Sequence, residues 1–273
     1  MTASSFFHRI PRALWFSGLD GLGILAWGIL LLTYSFRGEL QLLIHPNYFG
    51  LVTITGLILV LLGGSRLALS LKRGLRRSPG TEANDSVTHL TLLPLGVGSG
   101  LLLLTALLGL AIPPTVFTSQ MALQRGISNT LPATQLEAAS FVSQVKPEER
   151  SLVDWIRTLN SYPEPDAYQG QKAKVQGFVV YSPDLPNNYL LISRFILTCC
   201  AVDAYPVGLP VKLPGDRQQY PQDSWLEIEG TMATETLPLH HQTGETTQEK
   251  KRQLVLVADA VKPIPTPADP YSY

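Results

Sequence analysis

The 273-residue chain has only two cysteines, and they are neighbours, Cys199 and Cys200. That excludes the disulfide framework of a small secreted scaffold. It also lacks an excess of either charge: 21 Lys and Arg balance 21 Asp and Glu. A net charge of zero gives no whole-molecule attraction to nucleic acid or to an anionic surface. No phosphate-binding glycine loop, no Ser-His-Asp order and no carboxylate pair of catalytic spacing stands out, so the expectation is a protein that is not an enzyme. Charge is scarcest before Pro113, where Leu, Ile, Val, Gly and Ala accumulate. A soluble chain has no reason to segregate its composition in this way.

Three apolar runs fill that front part, at about residues 14–34, 48–71 and 90–112. Each reaches or passes about 20 residues, enough to cross roughly 30 Å of hydrocarbon as a helix. Such a helix satisfies its own backbone hydrogen bonds. The expectation is a membrane α + β protein: three N-terminal transmembrane helices in residues 1–113, then a small all-β extracytoplasmic domain. Basic residues set the orientation. Arg9 and Arg12 precede the first run, and Lys72, Arg73, Arg76 and Arg77 follow the second. The first connection has Arg37 offset by Glu39. The N-terminus and second connection are therefore assigned to the cytoplasm of a multi-pass cell-membrane protein. Asp20 lies inside the first run, where a carboxylate costs a few kcal/mol unless it is paired or wet. It reads either as a polar contact between helices or as an interfacial residue. Glycines at 18, 21, 23, 56, 63, 64, 96, 98 and 100 remove side-chain bulk and permit close helix approach.

Pro113-Pro114 ends the third run. Residues 114–169 read as a linker with a short helix, one turn near Glu137 and a clearer stretch after Pro147. There Leu152, Trp155, Ile156 and Leu159 fall at helical spacing, with Pro147, Glu148 and Glu149 in the first turn. From Gln171 the apolar period becomes two. Strands are expected at about 171–179, 189–198, 207–213, 225–231 and 254–261, with Leu226 and Ile228 inward and residues 234–252 a long polar loop. Five short strands in residues 170–273 suggest an OB-like barrel, or else a fragment of a sandwich. With nine Lys/Arg against eleven Asp/Glu in this part, a nucleic-acid groove is not expected.

The stretch Cys199-Cys200-Ala201-Val202-Asp203-Ala204 carries the most chemistry. Adjacent Cα atoms are about 3.8 Å apart, below the disulfide range of about 4.4–6.8 Å. In a strand the two thiols would face opposite sides. At a turn both reach one metal ion, zinc or another soft transition metal, with Asp203 or a histidine completing the shell. The plain alternative is a pair of small buried hydrophobes. His240-His241 has suitable atoms but no zinc-site spacing. His45-Pro46, before the second run, reads either as an ion ligand or as a helix start. Arg194 is placed to pair with Asp203 or Asp184.

Four segments together resemble a known family. They are Ile44-His45-Pro46-Asn47-Tyr48 with Gly56, and Tyr168-Gln169-Gly170 with Gly177-Phe178-Val179. The third runs from Arg194 through Cys199-Cys200 to Ala204, followed by Pro206-Val207-Gly208. The fourth is Pro270-Tyr271-Ser272-Tyr273. The resemblance is to the YcgQ-like family of bacterial membrane proteins, and it covers most of the chain apart from residues 115–146. It implies the accessory subunit of a two-component permease, with a polytopic permease and the lipid bilayer as partners. It also gives weight to Cys199, Cys200 and Asp203 as substrate- or metal-binding residues, and to Arg194, Gly177 and Gly208 as structural ones. The alternatives are a metal-binding or metal-delivery membrane protein and a membrane-anchored domain without a ligand.

Overall fold

The computed structural model describes residues 12–76, 96–128, 146–238 and 250–273. Arg9, Arg77, the start of the third apolar run, the turn expected near Glu137, and His240-His241 all lie outside these residues. The chain divides into two compact units, Met1–Pro114 and Thr115–Tyr273.

The first unit holds α1 (Arg12–Arg37), α2 (Phe49–Arg76) and α3 (Val97–Ala111). Two stretches, Gly18–Arg37 and Pro46–Lys72, are long and apolar enough to cross a membrane. The third expected span is represented by the 15 residues of α3, about 22 Å of helix at 1.5 Å per residue. Leu51, Ile54, Leu57 and Leu61 on α2 are exposed, Leu61 to 72%. Glycines set the close approach of α1 and α2. A Cβ on Gly63 would sit 2.6 Å from the Leu25 backbone nitrogen, and one on Gly28 would sit 2.8 Å from that of Val60. Gly21 and Gly28 thus face Gly63 and Gly56 in antiparallel order, seven residues apart on each helix. Seven residues are about two turns of helix, so both glycine pairs lie on one face of each helix. Gly18, Gly64, Gly98 and Gly100 meet nothing within 4 Å, so only part of the glycine content serves this packing.

The second unit begins with α4 (Ser119–Arg125), which the polar composition of the linker concealed. Among the described residues the next α-helix is α5 (Leu152–Ser161), where Ser151 and Asp154 form a capping box. Each satisfies an end N–H of the helix with a side-chain oxygen. Pro147–Glu149 is a separate 3-10 turn rather than the first turn of this helix. Leu152, Trp155, Ile156 and Leu159 are buried as their spacing demands.

Six strands follow: β1 (Lys172–Val180), β2 (Tyr189–Ile196), β3 (Tyr205–Lys212), β4 (Trp225–Pro238), β5 (Lys250–Ile264) and β6 (Tyr271–Ser272). They form one mixed sheet in the order β1-β4-β5-β3-β2-β6, and β1 also pairs with β2. The β3–β5 and β2–β6 pairs are parallel and the rest antiparallel. Val175, Val179, Leu190, Ile192, Leu209, Leu226, Ile228 and Leu256 meet in one apolar core with Leu152 and Trp155 of α5. Residues 234–252 are not a continuous loop. Thr234–Pro238 and Lys250–Leu254 pair across β4 and β5, because a strand pair needs only its backbone donors and acceptors matched. Gly177 and Gly208 are required by close approach. A Cβ on Gly177 would meet the Ser193 carbonyl at 2.5 Å, and one on Gly208 would meet Ile127 Cγ2 and Ser193 Oγ at 2.7 Å.

Candidate functional site

The site is the turn that joins β2 to β3. The chain leaves β2 at Ile196 and enters β3 at Tyr205. The alternation of side chains that would separate neighbouring thiols no longer holds between them. Asp203 organises the turn. One carboxylate oxygen accepts from the Cys199 N–H at 2.7 Å, and the other accepts from those of Thr198 and Cys200, each at 3.3 Å. The Asp203 N–H returns to the Cys200 carbonyl at 3.1 Å. Three inward N–H groups make a small anion nest, and a carboxylate from the same loop fills it.

The sulfurs of Cys199 and Cys200 lie 3.6 Å apart, and both cysteines are free thiols. Cys199 is exposed, while Cys200 and Asp203 are half-buried. One ligand atom from each of the three lies within 4.8 Å of the others. Hydrogen bonding to the Asp203 carboxylate, then to Cys200, pushes the Cys199 thiol up to about 12. Burial would raise Asp203, but the Cys199 thiol and the three backbone N–H groups outweigh it and hold the carboxyl below its ordinary range. A thiol kept protonated is a poor nucleophile. It becomes a ligand when a metal ion displaces its proton.

Arg125, at the end of α4, clasps the same turn. Its guanidinium donates to the Ala201 carbonyl at 3.3 Å and to that of Ala204, and it lies over the Phe117 ring, 5.1 Å from the centroid. Sequence reasoning missed Arg125, because nothing local to it signals a contact 76 residues away. The Leu197 N–H, just before the turn, donates to Ser272 of β6 at 2.9 Å. The turn is therefore held from the linker side and from the last strand.

The remaining candidates fall elsewhere. Arg194 pairs with neither Asp203 nor Asp184. It donates to the backbone carbonyls of Asp269 at 2.6 Å and Tyr271 at 3.4 Å, and lies over the Trp225 ring. It is thus the clamp of the β6 segment, and burial lowers its pKa from the usual value. His45 belongs to the first unit and caps the turn before α2, its Nδ1 accepting from the Asn47 N–H at 3.2 Å. Asp20, also in the first unit, accepts a hydrogen bond from Ser99 Oγ near the start of α3. That is a polar contact between two helices.

The family model of the DUF1980 C-terminal domain matches residues 132–273. No curated protein and no solved structure matches the chain. The matched region takes in the whole six-stranded sheet together with the Cys199–Asp203 turn and runs over more than half of the sequence, so the chain belongs to the DUF1980 family.

Proposed function

We propose that this protein is a membrane-anchored accessory subunit of a transport complex, and that its C-terminal domain holds a soft metal ion at Cys199, Cys200 and Asp203. The observation that carries this reading is the convergence of two thiols and a carboxylate within 4.8 Å on one braced turn. Soft thiolate ligands select zinc and its softer neighbours over magnesium or calcium. Exposed reduced thiols outside the cytoplasm tend to oxidise, so a casual pair is a poor alternative in the orientation adopted below.

In this reading the apolar faces of α1, α2 and α3 meet lipid, and residues 90–112 form the third span. The basic N-terminus and second connection stay in the cytoplasm, and the C-terminal domain lies outside. The strand order β1-β4-β5-β3-β2, with β2 returning to β1, supports a closed five-stranded barrel of the OB-like kind. Three spans are too few to enclose a pathway, which favours docking on a polytopic permease, as the YcgQ-like resemblance implies.

Metal analysis of the full chain purified in mild detergent tests the site. The expectation is one bound ion per chain, lost in the Cys199→Ser/Cys200→Ser double variant. Equal metal content in both proteins refutes the metal site and favours a domain without a ligand. A membrane-impermeant thiol reagent applied to intact cells tests the orientation, since the chain has no other cysteines. Labelling that needs permeabilised cells but no denaturant places the domain in the cytoplasm. Recovery as a lone monomer from cells that also make a polytopic permease of the kind the resemblance implies removes the transport reading.

A further inference from the structure

The spacing of the two sulfurs bears on which ion fits and on how it leaves. With metal–sulfur bonds of about 2.3 Å, two thiolates on a tetrahedral ion are about 3.8 Å apart; in a linear pair the distance is twice the bond, about 4.6 Å. The observed separation is 3.6 Å, a thiol–thiol hydrogen bond that already holds the sulfurs within about 0.2 Å of the tetrahedral spacing and about 1 Å short of the linear one. Asp203 supplies a third donor, and its carboxylate is already fixed by the N–H groups of Thr198, Cys199 and Cys200. Oδ1 accepts two of these bonds and Oδ2 only one, so Oδ2 keeps a lone-pair direction for an ion. Among the described residues no fourth His, Cys, Asp or Glu joins the three. The open side is at the surface: Cys199 is exposed and Val202, inside the turn, is 86% exposed. Structural zinc sites close all four positions with protein ligands, whereas sites that exchange or react keep one open.

We infer that the turn is a transfer site for a tetrahedral divalent ion of the zinc type, with the fourth corner reserved for a donor from outside this domain. This rests on the metal reading above and adds the class of ion and the route of release. On loading, two S–H bonds break and two metal–sulfur bonds form. Two protons pass to solvent, and no electron changes hands. On release, the incoming donor takes the fourth corner first, and the thiolates then leave one at a time. The exposed Cys199 is the first to be replaced.

The test uses the full chain in mild detergent, loaded with Zn(II) and mixed with a colorimetric chelator in increasing excess. An open corner makes release a substitution, so tenfold more chelator gives about tenfold faster release. A release rate that stays flat across that range overturns the inference, because the ion is then closed in and must dissociate unaided. If the rate is flat in the wild type and regains its dependence in His240→Ala/His241→Ala, the fourth donor belongs to this chain and the inference falls. Cobalt substitution gives an independent readout. The strong visible bands of a four-coordinate thiolate site are expected in the wild type and absent in Cys199→Ser/Cys200→Ser. Tight Cu(I) binding without Zn(II) or Co(II) overturns the tetrahedral assignment and leaves the metal reading standing. Failure to bind any of the three overturns the metal reading itself.

Discussion

The two units use the same aliphatic residues in opposite ways. In the strand-rich unit Leu190, Ile192, Leu226 and Ile228 are wholly buried, and the free energy of removing them from water holds the sheet together. In the helical unit Leu51, Ile54, Leu57 and Leu61 point away from the protein, and glycines occupy the helix contact instead. Where the surroundings are as apolar as leucine, burial contributes little to helix association, and close backbone packing takes over. A large apolar side chain therefore stabilises one unit from within, while in the other it lies exposed on helices long and apolar enough to cross a membrane.

That contrast sets the order of expected effects. Ile192→Ala should cost the strand-rich unit about 3 kcal/mol through lost transfer energy and a cavity, read as a lower denaturant midpoint by tryptophan fluorescence. Leu61→Lys should cost about 3 kcal/mol of membrane insertion, measured with a glycosylation reporter on α2. Tyr162→Lys, at a position of the other unit that is 59% exposed, should stay within about 0.5 kcal/mol. Equal tolerance at both positions would erase the distinction between the units. Gly63→Ala should cost about 1–3 kcal/mol, because backbone rather than a movable side chain stands in the way. Gly64→Ala, with open space around it, should be neutral or slightly stabilising. Thermal unfolding in detergent compares the two.

Smaller effects sharpen the picture of the domain. Asp203→Asn weakens the acceptor that gathers three N–H groups, so the turn loosens and Cys199 should react several-fold faster with iodoacetamide. Glu235 gives the smallest effect. Burial would raise its carboxyl, but hydrogen bonds from Lys212 and Tyr189 hold it below its ordinary value. A carboxyl lowered by folding adds stability above its unfolded pKa, and that stability fades as the pH falls through the folded one. The Lys212 side chain is 39% exposed, so the pair contributes only a few tenths of a kcal/mol. Glu235→Gln should flatten the acid limb of the stability profile by that amount.

The apolar stripe at 152, 155, 156 and 159 and the alternation from Gln171 made α5 and five strands legible, because local periodicity records which face is buried. The Cys199–Asp203 stretch was legible only in part: its residue types fitted a strand that separates the thiols as well as a turn that gathers them, and the choice depends on the Asp203 carboxylate accepting from three backbone N–H groups. What stayed hidden depends on partners distant in the chain. Gly28 has meaning only opposite Gly56 and Val60. The Tyr271–Ser272 pairing depends on Phe195 and Ile196, and two residues carry no period. The outer parts of β4 and β5 are polar, and their pairing is a matter of backbone register that composition does not encode. Arg125 acts on carbonyls, which every residue has, so no sequence signal marks its target.

The join between Phe117 and Tyr271 has a mechanical consequence. The Phe117 N–H donates to the Tyr271 hydroxyl at 3.1 Å, and the Phe117 ring packs on those of Phe195 and Tyr271. A pull on the tether at Thr115 therefore loads the final strand directly. Traction there would peel Tyr271 and Ser272 from β2, loosening the Leu197 support while the interior of the sheet stays intact.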